Sequence, residues 1–394
     1  MSGVPYILSI DHLLSDEERL VWSAAREFCE RRVAPVIEHH YEKATFPREL
    51  IPEFAEMGFL GGALTGYGCA GMGPVAYGLT MIELERQDSG IRSFCSVQSA
   101  LAMYPIHAFG TEEQRERFLP GMARGHIIGA FGLTEPNSGS DPGSMHTHAR
   151  QHEAGGDYIL NGQKFWITNS PIADVMVVWA KTLEFGSDTP IIRGFLVERG
   201  MPGLSTPETK GKLSLRASMT GEIVLDEVRV PVANLLPGVS GLKGPLSCLT
   251  QARYGIGWGA LGAAMSVYER ARRYTIDRVQ FGKPLAAFQL TQQKLVEMHN
   301  EIGKGLLLAY HFGRLKQDGK LSPVQVSYLK RDNVRMALEA ARTARSMFGG
   351  NGIMGEYHVM RHMCNLETVF TYEGTHEIHT LALGRALTGL DAFS

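Results

Sequence analysis

The spacing of apolar residues changes character twice along the chain. Over residues 1–128 it is helical: stretches such as VAYGLTMIELERQ are amphipathic, and Ser15-x-x-Glu18 and Thr111-x-x-Gln114 are capping-box signatures that each open a helical pattern. Over residues 129–237 the pattern is strand-like. VMVVWA (175–180), GFLVE (194–198) and the pair EIVL and EVRV (222–230) read as strands, and Pro231 ends the last. Asn161-Gly162 between two strand-like runs predicts a hairpin. From 238 to 394 the helical period returns. Leu295, Met298, Ile302, Leu306, Ala309 and Phe312 line one face of a long helix, and Val334, Ala337, Ala341, Ala344 and Phe348 line the face of another that starts at Ser322-Pro323-x-Gln325. The order predicts an α+β multidomain chain: an N-terminal helical domain, a small middle β domain and a C-terminal helical bundle.

Composition narrows the function classes. The chain has 394 residues, 44% of them hydrophobic, enough for a large core in two or three domains. Its net charge of −2, with no basic tail, argues against nucleic acid and anionic membrane surfaces as partners. No run of 18 apolar residues occurs, so no membrane insertion is expected. The N-terminus has no basic n-region and reads as neither a secretory nor a transit peptide. The 5 cysteines are scattered without a C-x-x-C, which points to reduced thiols in a cytoplasmic or matrix-like compartment.

The densest chemistry lies in TYEGTHEIH (371–379). Glu373 and His376 have Glu-x-x-His spacing, but a di-iron bundle needs a second such pair, which the sequence lacks, and Gly374 marks a turn where that motif needs a helix. His376 and His379 are three apart, whereas the zinc-protease motif needs four. No metal is expected. Gly66-x-Gly68-x-x-Gly71 matches a dinucleotide fingerprint, but it follows a helical pattern and reads as a loop between helices. FGLTEPNSGSD (131–141) could present backbone N–H groups to a ligand or be an ordinary turn. Trp166 and Thr168 share a strand face, where they could cover and hydrogen-bond a planar ring or simply be core. RVQFGKP (278–284) and FGGNG (348–352) are helix C-caps or diphosphate-binding turns. Arg92, among small residues in DSGIRSFCS, is either a surface cation paired with Glu85 or Asp88, or a fixed grip on a carboxylate.

Together FGLTEPNSGSDPGS (131–144), KFWITNSPIADV (164–175), LRASMTGEIVLDEVRVP (215–231), RVQFGKPL (278–285), FGGNGI (348–353) and TYEGTHEIH resemble the acyl-CoA dehydrogenase family, in order and over nearly the full length. ELERQDSGIRS (83–93) and ARYGIGWGALGAA (252–264) resemble its branch that oxidises and decarboxylates glutaryl-CoA. The resemblance implies an N-terminal helical domain (1–128), a middle β-barrel (129–237) and a C-terminal four-helix bundle (238–394), assembled as a homotetramer. It implies bound FAD, contacted by Phe131, Leu133, Thr134, Trp166 and Thr168, by Thr375 and Glu377, and by Arg278, Phe281, Gln289 and Gly350 of a neighbouring copy.

Ser140 and Arg253 match positions on the CoA arm, and Glu373 matches the catalytic base. Arg92 would hold the substrate carboxylate, with Glu85 and Tyr372 around it and Ser96 in the same pocket. The activity implied is FAD-dependent conversion of glutaryl-CoA to crotonyl-CoA and CO2, with electron-transfer flavoprotein as acceptor. Such an enzyme would reside in bacterial cytoplasm or the mitochondrial matrix. A straight-chain acyl-CoA dehydrogenase or an acyl-CoA oxidase of the same fold is the alternative, and a metal-binding helical bundle the remaining one.

Overall fold

The computed structural model describes residues 7–392. The N-terminal part contains α1 (Asp16–Phe28), α2 (Ala34–Lys43), α3 (Ile51–Glu56), α4 (Pro74–Gln87), α5 (Ser89–Ser96), α6 (Tyr104–Phe109) and α7 (Glu112–Ala123). Both capping boxes form. Ser15 and Glu18 exchange bonds at 3.2 and 2.9 Å to start α1, and Thr111 and Gln114 do the same for α7. The Gly66–Gly71 stretch is the expected loop, between α3 and α4. α4 departs from its amphipathic reading, because residues 75–87 are all buried, including Glu83, Glu85 and Arg86. A helix covered on every side must pair its charges internally.

The middle part holds β1 (Gly129–Gly132), β2 (His148–Gln151), β3 (Tyr158–Thr168), β4 (Val175–Leu183), β5 (Ile191–Glu198), β6 (Leu204–Ser205) and β7 (Thr220–Val230). The expected β-barrel is not formed. The strands make one open sheet in the order β1-β4-β2-β3-β7-β6, with β5 on β4. Closure would need the far edge of β5 to pair with β6 or β7. That edge is instead met by the chain leaving β7, through a Phe195–Leu235 bridge and a Leu236 N–H to Gly194 O bond of 2.9 Å. β6 is two residues long and pairs only with β7 among the described residues. The Asn161-Gly162 hairpin is also absent. β3 runs straight through it, with a register shift between Leu160 and Gly162 and φ +141° at the glycine. Asn161 spends its amide on Glu227 across the bulge (2.6 and 2.9 Å). EIVL and EVRV likewise form one strand, β7.

The C-terminal part is a helix bundle: α8 (Lys243–Asp277), α9 (Gln289–Gln317), α10 (Pro323–Met347), α11 (Val359–Thr371) and α12 (His376–Thr388). A short ribbon, β8 (Val279–Gln280) and β9 (Lys283–Pro284), joins α8 to α9. The faces read from the sequence are buried as expected, Met298 to Phe312 on α9 and Val334 to Ala344 on α10. α8 crosses α4 closely: a Cβ at Gly259 would lie 2.2 Å from Glu85 Oε2 and 3.2 Å from Arg92 Nε. That glycine lets a buried ion pair sit against the helix backbone. No helix among the described residues is long and apolar enough to cross a membrane.

Candidate active site

α11 ends at Thr371 and α12 begins at His376, so Tyr372 to Thr375 form the turn between them. Glu373 has φ +52° and Gly374 φ +93°. The left-handed conformation strains a glutamate by about 1–3 kcal/mol, so its surroundings must impose it. They do so through the backbone. Lys330 Nζ on α10 donates to Tyr372 O (3.0 Å) and Gly374 O (2.8 Å), and Arg253 Nε on α8 donates to Glu373 O (2.7 Å). Thr375 caps α12 by accepting from Ile378 N–H at 3.2 Å. His379 is buried beneath Gly374, where any Cβ would come within 2.8 Å of its Nε2. His376 stacks on Phe370.

Arg92 is fully buried. Asp88 caps α5 by accepting from Gly90 N–H at 2.7 Å, and Asn365 of α11 donates to the same carboxylate at 2.7 Å, which fixes the helix that carries Arg92. The cation pairs with Glu85 on α4 (Nε to Oε2, 2.7 Å), not with Asp88, and Ser89 Oγ donates to the other Glu85 oxygen at 2.8 Å. Its Nη2 donates to Tyr372 Oη, and Ser93 Oγ lies 3.3 Å from the same hydroxyl. These bonds use Nε and Nη2, and among the described residues Nη1 has no hydrogen-bond partner, which leaves it for a ligand.

Unpaired polar atoms gather here. Glu373 Oε2 is buried without a partner among the described residues, and Ser96 Oγ and Tyr77 Oη are buried with only a weak contact to each other. Buried groups of this kind are normally satisfied, so the cluster marks a place for a ligand. Tyr77 also borders a cavity of about 190 Å³, with Ser99, Tyr104, Tyr254 and Leu64 on its walls. Burial pushes the Glu373 carboxyl above the usual carboxylate range, while Arg92, Arg253 and Lys330 pull the other way. Burial likewise takes the Tyr372 phenol up to about 12 against the pull of Arg92. The result is a carboxylate kept basic, opposite a guanidinium with a free N–H edge.

Two further groups of candidate residues lie elsewhere. Leu133 and Thr134 follow β1 and meet β3 through Phe165 N–H to Thr134 O at 2.8 Å. Phe131 and Leu133 are buried, and Thr134 and Thr168 half-buried. Trp166 is 57% exposed with φ +61°, whereas Trp179 and Trp258 are buried. An indole held out of the core in a strained conformation suits stacking on a planar group better than packing. Ser140 is exposed on the loop after β1, with no hydrogen bond among the described residues.

Lys164, buried, anchors this region by donating to Leu133 O (3.1 Å) and Glu135 Oε1 (2.8 Å). Burial raises the Glu135 carboxyl, but bonds from Lys164, Thr147 and the His146 N–H outweigh it and bring it down to about 2. That stability is present above the unfolded carboxylate pKa and is lost as pH falls toward 2. Lys164→Met strands Glu135, so unfolding should become easier by roughly 3–5 kcal/mol. The drop in the chemical denaturation midpoint checks this, and a midpoint like that of the parent protein would refute it.

The second group sits at the end of α8. Tyr274 stacks on Phe348 at 4.2 Å and accepts from Asn351 Nδ2 at 3.1 Å, so the glycine turn holding Gly350 is fixed beside Arg278. Arg278, Gln289 and Gly350 are exposed, and Phe281 is 94% exposed. Arg278, Tyr274 and Phe348 border a cavity of about 610 Å³ that also takes in Arg270, Arg273 and Tyr357. A free arginine, an open glycine turn and a bare phenylalanine suit a molecule carrying both phosphate and a planar base. No hydrogen bond among the described residues ties this group to the Trp166 group.

Three consecutive models of the acyl-CoA dehydrogenase family match the chain: the N-terminal domain at 15–126, the middle domain at 130–228 and the C-terminal domain at 240–388. The chain belongs to the acyl-CoA dehydrogenase family. Within it, the chain is 35% identical over 383 residues to the short-chain-specific acyl-CoA dehydrogenase of Megasphaera elsdenii, covering 96% of this chain and 100% of that one. It superposes on glutaryl-CoA dehydrogenase from Mycobacterium smegmatis with a TM-score of 0.95 at 54% identity, covering 98% of each chain. A second glutaryl-CoA dehydrogenase structure from that organism, in complex with FADH2, gives 0.95 at 50% identity, again over 98% of each.

Lys330, Lys164 and Tyr77 are functional-site residues that no sequence motif singles out. Lys330 carried a signal: it falls on the apolar stripe of α10, four residues after Val326 and four before Val334. A lysine in such a stripe is either misread or held by partners.

Proposed function

We propose that this acyl-CoA dehydrogenase family member carries out the FAD-dependent oxidative decarboxylation of glutaryl-CoA to crotonyl-CoA and CO2. The observation that carries the reading is Arg92, buried with one N–H edge free, facing the pocket of Glu373. A straight hydrocarbon acyl chain has no use for a buried guanidinium, whereas a terminal carboxylate pairs with it through charge-assisted bonds.

Glu373 removes the α-proton of the bound thioester. Its burial makes it a stronger base than an exposed carboxylate, and its backbone N–H would donate to the thioester oxygen as enolate charge develops there. Bound FAD would supply a hydride acceptor for the β-hydrogen. Arg92 holds the carboxylate on the carbon beyond β, so that its loss as CO2 delivers electrons into the conjugated thioester. Protonated Glu373 then returns its proton to the terminal carbon of the dienolate. Glu85 keeps Arg92 oriented, and Tyr372 and Ser96 complete the polar wall around it.

Phe131, Leu133, Thr134, Trp166 and Thr168 would hold the flavin ring, and Thr375 and Glu377 would lie near its chain. Arg278, Phe281, Gln289 and Gly350 would meet the cofactor of a neighbouring copy in a homotetramer. Ser140 and Arg253 would meet the CoA arm, although the Arg253 Nε is already committed to Glu373 O. Electrons would pass on to an electron-transfer flavoprotein.

The purified protein should be yellow and should release CO2 and crotonyl-CoA from glutaryl-CoA in equal amounts when an artificial electron acceptor is supplied. Glutaryl-CoA left intact while butyryl-CoA is oxidised would place the protein among straight-chain dehydrogenases. Peroxide formed in step with product under air would make it an oxidase.

A further inference from the structure

We propose that Lys330 is a positioning residue which, together with Arg253, clamps the carbonyls of Tyr372, Glu373 and Gly374 and so aims the Glu373 carboxylate at the substrate. The proposal rests on Glu373 being the base. Three successive carbonyl groups are tied to two cations on neighbouring helices of the bundle, at 3.0, 2.7 and 2.8 Å. Between them lies a glutamate at φ +52°, a conformation its own backbone disfavours. Lys330 binds the peptide before Glu373 and the one after Gly374, and Arg253 binds the peptide between those two residues, so none of the three can rotate without breaking a bond to a cation. Released from Lys330, the turn is free to relax toward an ordinary conformation, and the carboxylate moves with it. Misplacing a reacting group by about 1 Å costs roughly 100-fold in rate.

The charge on Lys330 leaves a second trace. The groups around it are Glu373 and Glu377, Arg253 on α8, Arg92 on α5, and His376 and His379 on α12. Lys330 is one of three cations that hold the Glu373 carboxyl down against burial. A base works only when deprotonated, so activity falls on the acid side of its pKa. Removing the cation raises that pKa, and the acid limb of the rate profile moves to higher pH. Burial brings Lys330 itself down to about 7. A neutral amine still has two N–H donors for its two carbonyls, so the clamp survives loss of the charge.

The test compares the parent holoenzyme with Lys330→Met and Lys330→Gln, measuring flavin content, and kcat and KM against pH, with glutaryl-CoA and with butyryl-CoA. Lys330→Met should keep its flavin, hold KM within a few-fold, lose kcat roughly 100-fold and show the acid limb at higher pH. Lys330→Gln, with a donor for one carbonyl but no charge, should recover part of kcat and keep the displaced limb. A kcat near that of the parent overturns the proposal. So does a loss of kcat with an unmoved limb, or a Gln variant no better than the Met variant. If Lys330→Met does not fold, Lys330→Gln decides by the same kcat and limb criteria, and if neither binds flavin, Lys330 is scaffold and the proposal fails. A parent enzyme that leaves glutaryl-CoA intact but oxidises butyryl-CoA refutes only the substrate reading, and the clamp is then judged on butyryl-CoA. A parent enzyme inert toward both refutes Glu373 as the base and the clamp with it.

Discussion

Glu373→Gln should fold, bind flavin and lose turnover by about 10⁴-fold, near the upper end of what a single acid–base group contributes. The substitution keeps size and shape. The backbone bonds from Lys330 and Arg253 go to carbonyl oxygens, which the side-chain change leaves in place. What disappears is the carboxylate that takes the α-proton, and the later return of that proton to the decarboxylated product disappears with it. An amide also removes a charge whose burial costs more than the attraction of Arg92, Arg253 and Lys330 returns, so the variant should be no less stable than the parent. In the parent enzyme, because burial sets this carboxyl above the ordinary range, kcat/KM should fall on the acid side earlier than an exposed glutamate would make it fall. Stopped-flow reduction of the flavin by substrate reads the chemical step directly. Reduction of the Gln variant at a rate near that of the parent would exclude Glu373 as the base.

Much of the fold is local and was therefore legible. The helix starts at Ser15, Thr111 and Ser322 follow from side chains that bond their own backbone three residues on, and all three form. The stripes on α9 and α10 follow from helical period. What failed depended on pairing at a distance. Asn161-Gly162 carries a turn signal, but β7 lies along the whole of β3 and absorbs the glycine as a bulge, so tertiary pairing overrides the turn. Whether the sheet closes depends on which segment reaches the edge of β5, and strand period says nothing about that. α4 looked half-exposed because its second cover, α8, lies far along the chain.

The site divides in the same way. Glu373, Arg92 and the glycine turn at 348–352 stood out because their neighbours form recognisable motifs. Lys330 has no motif around it, and its partners are carbonyl oxygens, which no side-chain pattern reveals. Residues 85–96, 253, 330 and 372–375 meet only once α4, α5, α8, α10 and α11 are packed. The strain at Glu373 likewise becomes visible only with the backbone in view.

Arg92→Ala should lower kcat/KM for glutaryl-CoA by roughly 10²–10³-fold while changing butyryl-CoA by less than about tenfold, since truncating one partner of a buried charge pair costs about 2–5 kcal/mol and each 1.36 kcal/mol is a decade. The substrate ratio is the informative quantity. Removing Arg92 also leaves Glu85 buried beside Gly259 with, among the described residues, only Ser89 Oγ to satisfy it, which destabilises the fold whichever substrate is present. A general loss of that kind lowers both activities together, whereas loss of a carboxylate grip lowers one. Pairing the change with Glu85→Gln removes the stranded charge, so the double variant should regain stability without regaining glutaryl-CoA turnover. Recovery of that turnover would mean that Arg92 serves only to neutralise Glu85. Equal losses on the two substrates in the single variant would take the guanidinium out of substrate recognition, and the assignment of a dicarboxylic thioester would fall with it.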